Sequence, residues 1–363
     1  MTSTSEAATA AFTREQIGTF YRDGFVVLRN VVSETHVNEV RRGIFEELGN
    51  LRSQAVHAAL RPEDFQTRAE YEAVNEAALA TLRGGSQPRV LGLFNDTVLI
   101  SIIEAALGAP VVPVKGAQLA TSFPAGPGDT INESGYRDRD TPFHGWVGHL
   151  DGLWNGGSRV HQHTDRPMNE NERKRWLREV GTNSVPKYNP EHRANIRNFT
   201  ALIGVALSDQ RTEGVGNLGL LKGAHHAIEE FFRWQREAGG PLGPDGPGWP
   251  RIDTSAPNFG GLRHYPDAVR DRFAQDAARS EDGKLWPKPT LVCMAPGDAV
   301  IALHGVPHSA TRVGGFDPRM IAYFRITPRH RPAGNEEVYP DALCDIWAEW
   351  RGLSDVVEAL KIA

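Results

Sequence analysis

Cysteine is nearly absent: Cys293 and Cys344 are the only two in 363 residues. A disulfide framework is therefore excluded as the organising device, and a reducing, cytoplasmic setting is the expectation. No apolar run approaches the ~20 residues of a membrane-spanning helix. The opening MTSTSEAATAAF lacks both a basic start and an apolar core, so it does not read as a secretory signal. Residues 1–12 read instead as a disordered leader. Neither sign of charge dominates: 40 Lys and Arg stand against 45 Asp and Glu, a formal net charge of -5. That balance argues against nucleic acid or an acidic membrane surface as the general partner and leaves a small molecule as the expected one. No internal repeat is visible, and nothing in the composition specifies an oligomeric state.

What the chain does have is 37 glycines and 24 prolines, spread throughout rather than periodic, which suits a turn-rich β fold. Thr13-Arg14-Glu15-Gln16 fits a capping box opening a helix through about Tyr21, closed by Gly24. Phe25–Leu28 reads as a strand. Ser33 caps a second helix with the stripe Val37, Val40, Ile44, Leu48. Residues 51–107 look mostly helical and end with Val98–Leu107 before Gly108. From Pro110 onward strands dominate, with candidates at Val111–Val114, Gln118–Phe123, Trp146–Leu150, Phe199–Leu207, Leu218–Leu220, Thr290–Met294, Ala299–Leu303, Ser309–Val313 and Met320–Ile326. Short strands between Gly/Pro turns predict a mainly β protein with flanking helices, a double-sheet jelly roll. Two long polar segments, about 153–198 and 231–288, read as insertions that carry short helices and roof a pocket.

The chemistry-bearing residues fall in two separated segments. In GWVGHLDG, His149 and Asp151 lie two apart, so on a strand both point to one face and can grip one ion. With 13 histidines a chance His-x-Asp triplet is ordinary, and His163-Thr164-Asp165 is a second one. The apolar Trp146-Val147-Gly148 run leading into His149 favours the first, because no such apolar run supports His163. In GDAVIALHGVPHSATRVGGFDPRMIAYFR, a buried strand delivers both His304 and His308, and either could be the third ligand. The GGFDP turn reads as a hairpin bend that sets Arg319 on the strand next to His308. Two histidines and one carboxylate on one face of a metal are the ligand set of non-haem Fe(II) oxygenases. A guanidinium fork nearby suits the far carboxylate of a dicarboxylic co-substrate.

At these residues the chain resembles the phytanoyl-CoA dioxygenase family of Fe(II)/2-oxoglutarate-dependent dioxygenases. FYRDGFVVLRNVVS is similar to the family's start, HLDG to its His-x-Asp, NFTALIGVALSDQ and GNLGLLKGAHH to its central strand and turn, and GDAVIALHGVPHSAT with DPRMIAYFR to its distal block. The resemblance covers most of residues 15–330. It implies one dioxygenase domain over 13–335 with a jelly-roll core at about 110–330, followed by a helical tail at 336–363. It implies iron on His149, Asp151 and His308, 2-oxoglutarate held by Arg319, O2 as oxidant, and hydroxylation of an unactivated C–H with release of succinate and CO2. Halogenating relatives leave the carboxylate position empty; here Asp151 is present, which favours hydroxylation, with desaturation or ring closure as the other outcomes it allows. Two departures stand out. Ala310 occupies the place of a serine that family members often use to touch 2-oxoglutarate, with Ser309 and Thr311 flanking it. The distal histidine also follows Asp151 by 157 residues, a gap the two insertions account for.

Further candidates are Gln118 and Thr311 for the co-substrate pocket, and Trp146, Trp154 and His304 for the substrate wall. His225 and His226 fall at a structural turn and are not assigned to metal, while Arg211, Lys222, Arg312 and Arg325 could meet an anionic substrate. The alternatives are a 2-oxoglutarate-independent cupin-type metalloenzyme, with Arg319 on the substrate, and a non-catalytic binding protein of the same family.

Overall fold

The computed structural model describes residues 11–55, 84–124, 142–152, 194, 196–244, 246–249, 265–279, 283, 285–332 and 338–362. Helix α1 (Arg14–Asp23) opens as the sequence predicts: Gln16 N–H donates to Thr13 Oγ1 and Thr13 N–H to Gln16 Oε1. Gly24 ends it at φ +80°, a conformation that costs glycine nothing. Strand β1 (Phe25–Leu28) follows, and then α2 (Glu34–Ala55), which buries Val37, Val40 and Ile44. Leu48, the fourth member of the expected stripe, lies outside the described side chains. Helices α3 (Pro88–Asn95) and α4 (Val98–Leu107) put Leu93, Phe94, Leu99, Ile103 and Leu107 into the core. Among the described residues no single helix is long and apolar enough to cross a membrane; α3 and α4 pass that test only as a pair bent by 51°.

The remaining strands are β2 (Gln118–Ser122), β3 (Ala201–Ala206), β4 (Leu218–Leu220), β5 (Ala278–Arg279), β6 (Leu285–Trp286), β7 (Thr290–Val292), β8 (Ala299–Leu303), β9 (His308–Ala310) and β10 (Arg319–Ile326). They form an antiparallel five-stranded sheet in the order β1-β8-β3-β10-β2, a three-stranded sheet β7-β4-β9, and the pair β5-β6. Every residue of β3 and β8 is buried, which is why ALIGVA and AVIAL read as continuous apolar runs rather than alternations. One hydrophobic core joins both larger sheets with α1 to α4: Leu218, Leu220 and Val292 pack in the same cluster as Val205, Ile301 and Phe324. A second cluster lies under α5 (Ala224–Ala238), where Phe231, Phe232 and Trp249 meet Trp146 and Leu150.

Several expectations are corrected. Val111–Val114 is no strand, and only Val111 makes a bridge, to Pro328. Trp146–Leu150 is irregular: Gly148 turns at φ +76°, which breaks the pleat and leaves one bridge at His149. The distal strand is His308–Ala310 rather than Ser309–Val313. β9 and β10 do not form a hairpin. β9 pairs with β4 and β10 with β2 and β3, so Thr311–Pro318 carries the chain from one sheet to the other. Most of the expected insertion at 153–198 and the middle of the one at 231–288 lie outside the described residues. The second begins inside α5 and carries a short helix at Asp267–Arg270, in keeping with an insertion that holds helices. The C-terminal helical expectation falls on a short helix at Pro340–Cys344, a 3-10 stretch, and α6 (Ser354–Ile362).

Candidate metal centre

His149 and His308 face each other across the two sheet segments, and each backbone donates to the other, at 3.0 and 2.9 Å. Such a doubly bonded antiparallel pair puts both side chains on the same face, and the ring centroids lie 4.8 Å apart. Asp151, two residues after His149, turns its carboxylate toward both rings. Its Oδ1 is 3.5 Å from His149 Nε2 and 3.7 Å from His308 Nε2. The three buried residues could hold one metal ion, their ligand atoms all within 4.8 Å of one another. Ligand atoms about 2.0–2.2 Å from an ion and about 100° apart would stand roughly 3.0–3.5 Å from each other, close to what is found.

The donor set is prepared for a cation. His308 Nδ1 lies 3.0 Å from the Val306 carbonyl, a contact that requires the proton on Nδ1 and frees the Nε2 lone pair. Burial, followed by the charges of His149 and Arg325, pushes His308 down to about 4 against the pull of Asp151, so the ring is neutral near pH 7. Asp151 is a buried carboxylate that burial alone would drive up. Arg325, His149 and His308 together outweigh that and hold the group well below the usual carboxylate range. Arg325 Nε and Nη2 each lie 2.8 Å from Asp151 Oδ2. Oδ1 accepts no hydrogen bond. A buried anionic oxygen in that condition is costly, and a metal ion would satisfy it.

The loop ahead of His149 is anchored side chain by side chain. Val147 and Gly148 N–H donate to Ser309 Oγ at 3.3 Å, and Arg312 N–H donates to the His144 carbonyl at 2.8 Å. Phe143 and His144 sit at φ +56°, left-handed conformations that cost roughly 1–2 kcal/mol per residue and are held by these contacts. His304 is not a ligand. Its Nε2 lies 3.1 Å from both the Asp151 and the Arg197 carbonyls, so the ring holds the turn that aims the carboxylate.

Arg319 is 2% exposed, and no acidic side chain pairs with it among the described residues. Its Nη2 donates to the Tyr323 hydroxyl at 2.5 Å, while its Nε makes no hydrogen bond. A buried guanidinium held by one neutral oxygen invites an anion. Arg319, Tyr323 and Arg325 are odd-numbered on β10 and therefore share the face that carries Asp151. Glycines make room for this row: a Cβ at Gly204 would stand 2.8 Å from the Tyr323 ring, and one at Gly216 3.0 Å from the Arg319 stem.

The other expected residues take different places. Gln118 accepts from Arg325 Nη2 at 3.0 Å and so reaches the metal ligand only through that arginine. Thr311 donates its hydroxyl to the Asn217 carbonyl at 2.8 Å. Trp146 is fully buried with Nε1 on the Gly219 carbonyl at 2.9 Å, packed in the core rather than lining a wall. Trp154, His163 and Asp165 lie outside the described residues. Sequence reasoning undervalued Arg325 and missed Tyr323, although the two-residue periodicity of MIAYFR puts both on the face of Arg319.

No family model matches the chain, and no curated protein matches it. Among solved structures it is similar to HygX from Streptomyces hygroscopicus with nickel and 2-oxoglutarate bound, at 17% identity and TM-score 0.38, over 88% of this chain and 89% of that one. It is also similar to SnoK, a non-haem alpha ketoglutarate dependent carbocyclase from nogalamycin biosynthesis, at 14% identity and TM-score 0.39, over 89% and 88%. EctD from S. alaskensis, with 2-oxoglutarate and 5-hydroxyectoine, shows 14% identity and TM-score 0.39, over 88% and 78%. Likeness at this level carries nothing about function from those proteins to this one.

Proposed function

We propose that this protein is an oxidoreductase, a non-haem Fe(II)- and 2-oxoglutarate-dependent dioxygenase that hydroxylates an unactivated C–H of a small molecule. The reading treats residues 13–335 as one domain of the phytanoyl-CoA dioxygenase type, its two larger sheets belonging to a jelly roll. The observation that carries it is the pairing of two unlike demands in one place. His149, Asp151 and His308 make a three-ligand face for a divalent ion. On the strand face that meets Asp151, buried Arg319 lacks an acidic partner among the described residues. Charge points the same way. Arg325 pairs with Asp151, burial and then Arg325 depress the Arg197 pKa, and Arg319 adds a buried cation on the strand face of Arg325. A dianionic co-substrate would balance that excess.

Iron(II) held there with 2-oxoglutarate would supply the oxidant for C–H hydroxylation with O2, releasing succinate and CO2. The chain's own part is positional. His149, Asp151 and His308 would hold the ion from one side and leave the opposite side open. Arg319 and the Tyr323 hydroxyl would bind the distal carboxylate of the co-substrate, and the apolar walls around β3 and β10 would keep water from that end. His304 and Ser309 fix the backbone that presents the ligands.

Anaerobic addition of Fe(II) and 2-oxoglutarate tests this by the visible metal-to-ligand charge-transfer band. The band is expected in wild type, absent in His149→Ala, and lost at ordinary 2-oxoglutarate concentrations in Arg319→Ala. Arg211→Ala, which removes an exposed arginine paired with Asp209, should keep it. A wild-type protein that binds iron without any band would end the co-substrate reading.

A further inference from the structure

Arg325 is the most peculiar neighbour of the metal triad. It contacts a prospective ligand rather than a prospective substrate, and it does so from a partly open position, its side chain 33% exposed against 3% for Asp151. β2 begins at Gln118, opposite Tyr323, so no β2 residue pairs alongside Arg325. Nε and Nη2 both converge on Oδ2 of Asp151, and Nη2 also donates to Gln118 Oε1. The guanidinium carbon lies 5.6 Å from the Phe199 ring centroid, which adds a packing contact to the two polar ones. The two carboxylate oxygens of Asp151 are thus treated oppositely: Oδ2 is saturated by a cation, and Oδ1 is bare and faces the imidazoles.

We propose that Arg325 is a positioning residue of the metal centre: with Gln118 it holds Oδ2 so that Asp151 meets the metal through Oδ1 alone and the positions needed by a two-oxygen chelate stay free. A carboxylate binds hard divalent ions through one oxygen or both, and a freed Oδ2, one bond angle from Oδ1, would pivot onto the same ion. That would fill a position without adding a residue to the site. An outer partner that merely orients a ligand costs about 10- to 100-fold in metal affinity when removed. Here the consequence is different, because the freed oxygen becomes a ligand itself and sustains metal affinity while excluding the chelate. The part concerning the chelate rests on the co-substrate reading above; the part concerning Asp151 does not.

Cobalt(II) added anaerobically to the full-length protein separates the two. Its visible ligand-field bands weaken as coordination number rises. In Arg325→Gln the bands are expected to weaken, cobalt affinity to stay within about threefold of wild type, and 2-oxoglutarate affinity of the cobalt form to fall by about tenfold or more. Arg325→Lys, which keeps a cation on Oδ2, should restore the bands and most of the 2-oxoglutarate affinity, and Gln118→Ala should fall between. Unchanged bands with unchanged 2-oxoglutarate affinity in Arg325→Gln would overturn the proposal. So would a loss of cobalt binding as large in Arg325→Lys as in Arg325→Gln, since that marks a purely structural ion pair. If wild type takes up cobalt but no 2-oxoglutarate, the co-substrate reading fails, and the band intensities alone still decide how Arg325 acts on Asp151.

Discussion

Trp146 precedes His149 by three residues, and its indole fills a slot made by two glycines. A Cβ at Gly148 would stand 2.5 Å from the ring and one at Gly219 2.3 Å from it, while Nε1 donates to the Gly219 carbonyl. The tryptophan therefore couples the irregular segment before His149 to β4. Trp146→Phe keeps most of the ring and deletes the donor, leaving a buried carbonyl without that bond. The expected cost is about 1–2 kcal/mol by urea denaturation, with cobalt affinity nearly unchanged. A wild-type urea midpoint combined with altered metal affinity would show that the ring acts on the site directly. The same scale explains what the sequence could and could not reveal about the ligands. His149 and Asp151 are neighbours, and a spacing of two needs no full strand to converge. The tie between Arg325 and Asp151 spans 174 positions, and no local pattern encodes it.

Elements whose identity rests on local periodicity and capping were legible. The capping box at Thr13, the α2 stripe as far as Ile44, the Gly108 stop after α4 and the apolar runs of β3 and β8 all occur where the residues predict them. Sheet membership was not legible, because β9 is three residues long and a turn rich in Gly and Pro serves a crossing between sheets as well as a hairpin. Contacts between distant elements were equally hidden. Gly352, in the C-terminal 3-10 stretch, touches α4 so closely that a Cβ there would lie 1.8 Å from the Ala105 carbonyl oxygen and 3.0 Å from that of Ala106. Gly352→Ala is expected to push the tail off α4 and cost about 1–3 kcal/mol, read as a lowered urea midpoint. A fully wild-type midpoint would mean that α4 and the tail are free to separate.

Across the whole molecule, stability should depend on pH through histidines that folding keeps neutral. Burial first, then the adjacent His226, pushes His225 down to about 3, against the bond to the Tyr21 carbonyl. In the unfolded chain the same group titrates near about 6.5. The unfolded state therefore gains a proton as pH falls below about 6.5, and the folded state does not until about 3. Stability is full above that window and declines through it on acidification. The urea midpoint of the metal-free protein should fall between pH 6.5 and 4. His225→Gln, which can still donate to Tyr21, should flatten part of that fall; parallel curves for variant and wild type would refute the assignment.

The mutual backbone bonds of His149 and His308 close a loop of about 160 residues by main chain alone. Bringing such distant positions together carries an entropy cost of (3/2)RT ln n, several kcal/mol at this length, and folding meets it before any ion arrives. In small zinc modules the ion must organise the chain, so binding and folding are one event. Here the ion would enter a finished socket. It should load and leave reversibly, with chelators emptying the centre and the fold left standing.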